Sequence, residues 1–95
     1  MDIKPVDPRD TRWEVGSPAY RVYFWTPQPP PPDLPEHPGG YRSSEFELTN
    51  ADVTDVLAWA QATATRGSTY TVYAVVEQNG EKGLVRLSGT DPTTG

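Results

Sequence analysis

The 95-residue chain has room for one domain with a modest core. Thirteen acidic and eight basic residues give a net charge of −5, which excludes the attraction that drives nonspecific binding to nucleic acids or anionic membranes. The absence of cysteine excludes disulfides, thiolate nucleophiles and cysteine-ligated zinc.

The first residues lack the apolar stretch of a signal peptide, and no segment reaches the ~18 apolar residues of a membrane span. We therefore expect a cytoplasmic protein. The scarcity of Ile, Lys and Asn beside abundant Ala, Thr and Pro is typical of GC-rich bacteria.

Residues 1–10 carry two prolines and five charges without an apolar period, so they predict a flexible lead-in to a single domain at 11–90. Trp13 and Val15 alternate with polar residues and predict a first strand. The aromatic run 20–25 predicts a second strand, paired with the first in a hairpin.

Seven of the eleven prolines fall between Pro27 and Pro38, which predicts a stiff, exposed connector at 26–40. Such a tract also has the general form that SH3-like or WW-like aromatic grooves bind, although a connector is the favoured interpretation. After Gly39 and Gly40, the alternation at 45–48 predicts a third strand with Phe46 and Leu48 on one side.

A helix is predicted over residues 50–66, with Thr49 or Asn50 as the N-cap and Gly67 as the stop residue. Its apolar residues recur at helical spacing and predict one stripe facing a core: Val53, Val56, Leu57, Ala60 and Ala64.

Residues 69–78 predict a strand, and Asn79-Gly80 predicts a tight hairpin turn because both residues accept positive φ. Counting outward from this turn pairs Gln78 with Glu81 and fixes the register as far as Thr71–Ser88. One face of this hairpin is apolar and is predicted to be buried against the helix: Val72, Ala74, Val76, Val85 and Leu87. Residues 91–95 are predicted to be a flexible tail.

The predicted order is β-β-β-α-β-β, which indicates an α+β domain with one antiparallel sheet and a helix packed on one face. The order of the strands within the sheet is left open. The helix could return the chain beside the third strand or across the sheet.

Few side chains form a recognisable chemical site. Asp33, Glu36 and His37 could together ligate a metal, but an exposed proline-rich loop does not fix ligand directions. Two acidic pairs lie at same-face spacing: Glu45 with Glu47, and Asp52 with Asp55. We interpret the first as the solvated side of a strand and the second as partners of the helix dipole. The sequence predicts no enzyme, metal or cofactor.

The helix can cover only one face of the sheet, so the other face is the predicted functional surface. Its partner-binding residues are predicted to be Tyr23, Trp25, Tyr73, Val75, Leu84 and Arg86. This mixture of aromatic, aliphatic and Arg side chains is enriched at protein interfaces. It predicts a noncatalytic interaction module that binds another protein or a second copy of itself.

Two alternatives to this interpretation remain open. The proline-rich loop or the N-terminal arm could fold back and cover the aromatic face. Otherwise the loop could close an aromatic pocket gated by Arg21 or Arg86, giving a domain that binds a small anionic or ring-containing ligand.

Overall fold

A computed structural model describes residues 1–10 and 18–93. The described chain contains a short 3-10 turn at Pro8–Asp10, four strands and a helix, which are β1 (Tyr20–Pro27), β2 (Tyr41–Leu48), α1 (Val53–Thr63), β3 (Thr69–Gln78) and β4 (Glu81–Ser88). The strands form one antiparallel sheet, so the predicted α+β class is confirmed. The strand predicted around Trp13 and Val15 lies outside the described residues.

The strand order within the sheet is β2-β1-β3-β4. Helix α1 therefore carries the chain from β2 across β1 to β3, and it packs on β1 and β3. This crossing answers the question that the sequence left open. The edge strands of the described sheet are β2 and β4.

The core forms where β1, β3 and α1 meet. Val22, Val72 and Val56 are fully enclosed, and Ala60 joins them from the helix. Tyr20 and Phe24 are also buried, two residues on either side of Val22, as the alternation of a strand requires. Apolar contact between the central strands and the helix therefore stabilises the domain.

Aromatic rings extend this core toward β2. Phe24 makes edge-on contacts with Phe46 and Trp59, with ring centroids 5.8 and 5.6 Å away, and Phe46 lies 5.6 Å from Trp59. Phe46 remains 46% exposed. The cluster therefore ends at the protein surface.

The helix is shorter than predicted at both ends. Asn50 adopts a left-handed conformation with φ 56°, so the helix cannot begin there, and Asp52 is the N-cap. The backbone N–H of Asp52 donates to the Asp55 carboxylate at 3.2 Å. Gly67 does have positive φ, but it belongs to a separate turn that follows the C-cap, Ala64.

The β3–β4 hairpin has the predicted register from Gln78–Glu81 to Tyr73–Arg86. Beyond Tyr73 the predicted pairs Thr71–Ser88 and Val72–Leu87 are wrong, because a register shift pairs Val72 with Ser88. An extra residue in one strand of a pair, a β-bulge, shifts every pair beyond it by one.

The prediction that Val85 and Leu87 are buried is also wrong. They are 48% and 44% exposed, because α1 lies over β1 and β3 and leaves β4 uncovered on that side. Val76 is only half-buried, and Val53 of the predicted helix stripe is exposed. The helix covers the centre of the sheet and not its β4 edge.

The proline-rich connector runs from 28 to 40, because β1 continues to Pro27 and the Gln28 N–H donates to the Gly40 carbonyl at 3.0 Å. Residues 29–38 are exposed, so this stretch is not packed into the core. In the predicted C-terminal tail, Asp91 and Pro92 are half-buried.

Candidate interaction surface

The antiparallel register places all six predicted partner-binding residues on the helix-free face. Tyr73 lies between Arg21 on β1 and Arg86 on β4, and Val75 lies opposite Leu84. Tyr23 and Trp25 alternate with the buried Val22 and Phe24, so they point to the opposite side of the sheet.

The tyrosines at the centre of this face contact each other. The Tyr23 and Tyr73 rings are 5.1 Å apart and tilted by 59°, and the Tyr23 ring meets the Trp25 ring edge-on at 6.0 Å. Tyr23, Tyr73 and Val75 are half-buried. These rings hold one another in place within the sheet surface.

Trp25 differs from the prediction because it is not part of an exposed patch. It is only 7% exposed, and its Nε1–H donates to the hydroxyl of Thr71 at 2.9 Å. That hydroxyl in turn donates to the Thr90 carbonyl at 2.9 Å, and Thr71 is fully buried. Trp25 therefore ties β1 to β3 and to the segment that follows β4.

Of the six predicted partner-binding residues, the exposed ones lie on β4. Leu84 is 39% exposed beside the half-buried Val75, and Arg86 is exposed. The Nη1 of Arg86 donates to the Gly89 carbonyl at 2.7 Å, which holds the guanidinium close to the sheet. An aliphatic contact and a cation thus stand beside the tyrosines.

The pKa values of two groups on this face are raised, one by a hydrogen bond to a carboxylate and the other mainly by burial. The Glu47 carboxylate accepts a hydrogen bond from Arg21 Nε at 3.1 Å and raises the pKa of that guanidinium. Burial raises the pKa of the Tyr73 phenol, and the Asp91 carboxylate raises it further. The Tyr73 phenol is therefore neutral and able to donate a hydrogen bond at neutral pH.

A cavity of about 310 Å³ opens on the other side of the sheet, beside the C-terminal end of α1. Phe24 and Phe46 supply its apolar wall, Arg42 is its cation, and most of the other lining residues carry hydroxyls. Neither Arg21 nor Arg86 lines it, and Gln28 is its sole contribution from the connector. The cavity therefore differs from the loop-closed pocket that the sequence suggested.

Among the described residues, the candidate metal ligands of the connector do not come together with a third ligand. His37 Nε2 lies 3.9 Å from the Glu36 carboxylate, and both side chains are exposed. Across residues 1–10 and 18–93, no three His, Asp or Glu side chains come together in a way that could hold a metal ion. Glu45 accepts a 3.4 Å hydrogen bond from Ser43, its neighbour two residues away.

No protein family, curated protein sequence or solved structure matches this chain. In the part of the chain that the structure describes, no helix has the length and apolar character needed to cross a membrane.

Proposed function

We propose that the chain is a noncatalytic, cytoplasmic interaction module that binds another protein chain, a second copy included, through its helix-free face. The observation that carries the proposal is the continuous row formed by Tyr23, Tyr73, Val75 and Leu84 across three strands. Exposed Leu84 lies at the β4 end of this row, and no described helix covers it.

The chemistry of the row is suited to protein contacts. Half-buried tyrosines offer large apolar surfaces that are already ordered, and their hydroxyls can hydrogen-bond to a partner. Leu84 and Val75 supply an aliphatic contact, and Arg86 supplies a cation at its rim. Rigid side chains lose little conformational entropy on binding, which favours a stable contact.

Trp25 takes a supporting role in this proposal. Its indole is buried and hydrogen-bonded to Thr71, so it packs beside Tyr23 on the same face and offers little surface to a partner. Truncation of Trp25 would damage the fold itself. The test therefore uses exposed and half-buried residues.

Leu84 and Val85 provide a matched pair for the test. They are consecutive residues of β4 with similar exposure, and their side chains lie on opposite faces of the sheet. We expect Leu84→Ala and Tyr73→Ala each to weaken association by about 1–2 kcal/mol. Val85→Ala should have much less effect on the capture of a foreign partner, because it leaves the helix-free face unchanged.

Light scattering across a concentration series measures self-association of these variants, and affinity capture from the native host compares their foreign partners. Circular dichroism checks that each variant is folded. If every partner and any self-association survive both Leu84→Ala and Tyr73→Ala, the proposed surface is wrong.

The cavity beside α1 supports a second candidate function, which is binding of a small anionic ring compound. Its volume of about 310 Å³ suits a ligand at the small end of the usual range, and Arg42 can pair with a carboxylate beside Phe46. Benzoate should then shift the amide NMR signals of residues that line the cavity, whereas benzylamine should not. Loss of the benzoate response in Arg42→Gln would support this function, and no response in the native protein would refute it.

A further inference from the structure

The two edges of the described sheet carry opposite charges on the same face. The side chains on the helix-free face include Lys82 and Arg86 on β4, and Glu45 and Glu47 on β2. Each edge strand is eight residues long and has no strand beyond it among the described residues. Such edges present free backbone N–H and C=O groups that can pair with another chain.

The hydrogen-bonding pattern identifies which residues present those groups. In a hairpin with a two-residue turn, the residues flanking the turn form a hydrogen-bonded pair, and such pairs alternate along the strands. Gln78 and Glu81 flank the turn, so the backbone groups of Lys82, Leu84 and Arg86 point away from β3. The bond from the Val75 N–H to the Ala19 carbonyl agrees with this pattern, since it directs Val75 toward β1.

The same reasoning applies to β2. The Gln28 N–H donates to the Gly40 carbonyl. Every second residue counted from Gly40 along β2 therefore also directs its backbone N–H and C=O groups toward β1. The outward backbone groups of β2 therefore belong to Tyr41, Ser43, Glu45 and Glu47. On both edges, the residues with outward backbone groups include the ones that carry the complementary charges, Lys82 and Arg86 on β4 and Glu45 and Glu47 on β2.

We infer that this chain assembles head to tail, with β4 of one copy adding to β2 of the next copy as an antiparallel strand. Because β1 and β4 run in one direction and β2 and β3 in the other, this contact joins identically oriented copies. Their helices stay on one side, and the helix-free faces become continuous. The inference rests on the proposed interaction function and names the partner as a second copy.

Charge selects this pairing over the symmetric ones. Two β4 edges would bring two copies each of Lys82 and Arg86 together, and two β2 edges would bring together the carboxylates of Glu45 and Glu47. Pairing β4 with β2 instead combines cations with carboxylates. Arg21 already pairs with Glu47, which leaves Glu45 as the more available carboxylate.

One register forms a matched pair on each face of the joint sheet. If Val85 lies opposite Phe46 of the next copy, Arg86 lies opposite Glu45 of that copy. Val85 and Phe46 are 48% and 46% exposed, and pairing would cover both. An aromatic side chain opposite a β-branched one is a favourable cross-strand pair.

Charge reversal tests this assembly directly. We expect native protein to self-associate in a concentration series at low salt and to dissociate as salt is raised. Arg86→Glu alone and Glu45→Lys alone should each weaken self-association at least about tenfold. An equimolar mixture of the two variants should associate again, because each joint then combines opposite charges. Arg66→Glu and Glu36→Lys are matched controls, since they make the same charge changes away from the two edges.

Light scattering and sedimentation measure the association, and circular dichroism confirms that the variants are folded. A native protein that stays monomeric at low salt would overturn the inference, and so would failure of the mixture to restore association. Either result would leave binding of a foreign protein at Tyr73 and Leu84 intact. If Tyr73→Ala and Leu84→Ala weaken partner binding but charge reversal leaves self-association unchanged, the edge contact is rejected and the proposed interaction function is not.

Discussion

Replacing Thr71 with Val tests the buried hydrogen-bond chain that supports the helix-free face. The change keeps the shape of the side chain but removes the hydroxyl that joins Trp25 to the Thr90 carbonyl. The Trp25 Nε1–H would then be buried without a partner. Among the described side chains that are not exposed, no buried polar atom lacks a hydrogen-bond partner, so the substitution would introduce such a defect.

The expected loss follows from these contacts. Two hydrogen bonds at about 1 kcal/mol each, together with the desolvation penalty of the stranded N–H, give a loss of about 2–4 kcal/mol in the free energy of unfolding. For a domain of this size the melting temperature should fall by roughly 10–25 °C. Thr71→Ser keeps the hydroxyl and should lose only about 1 kcal/mol, for the buried methyl group.

Urea unfolding followed by circular dichroism measures these differences. In a Trp25→Phe background the N–H donor is absent, so Thr71→Val should cost about 1–2 kcal/mol less than it does in the native protein. Equal stability of Thr71→Val and Thr71→Ser would refute the role assigned to the hydroxyl. Full additivity of Thr71→Val with Trp25→Phe would show that the two side chains are not coupled.

Three further predictions concern the core, the connector and alkaline pH. In urea unfolding, Val56→Ala should lower the free energy of unfolding by about 2–3 kcal/mol, because Val56 is fully enclosed. Leu57 is only half-buried, so Leu57→Ala should lower it by less than the ~2–5 kcal/mol typical of a buried leucine. A loss at Leu57 as large as that of a buried leucine would contradict this packing. Replacing residues 29–37 with a short Gly/Ser linker should change stability by about 1 kcal/mol or less, and collapse of the fold would show that the prolines cover part of the domain. Burial of the neutral phenol raises the pKa of Tyr73, so its contribution to stability is full below its ordinary pKa of 10.0 and is lost as the pH rises through the raised value. Tyr73→Phe should therefore reduce the loss of stability in alkaline solution, and an unchanged alkaline transition would contradict this assignment.

Local sequence signals determined the elements and part of their pairing. Asn79-Gly80 fixes a tight turn through the conformations its two residues accept, and the register follows by counting as far as Tyr73 and Arg86. The apolar spacing of Val56 and Ala60 likewise indicates a helix with one buried stripe. These features depend on neighbours close in sequence, so they can be read from the chain alone.

The candidate surface was only partly predictable. Alternation along each strand placed Tyr23, Tyr73, Val75, Leu84 and Arg86 on one face, because side chains of a strand point alternately to its two sides. The burial of Trp25 was not predictable, because its hydrogen-bond partner is distant in sequence and the backbone group that completes the chain follows β4.

The sequence by itself determined the α+β class, the approximate positions of the helix and of the four described strands, and the register of the final hairpin from its turn to Tyr73 and Arg86. Only the tertiary structure decided that β1 lies between β2 and β3, that α1 leaves β4 uncovered, and that the register shifts beyond Tyr73. Periodicity records which side of an element is apolar, but it does not record which distant element covers that side. Val85 and Leu87 have the pattern of core residues but are exposed, because the single helix packs on β1 and β3 and does not reach over β4.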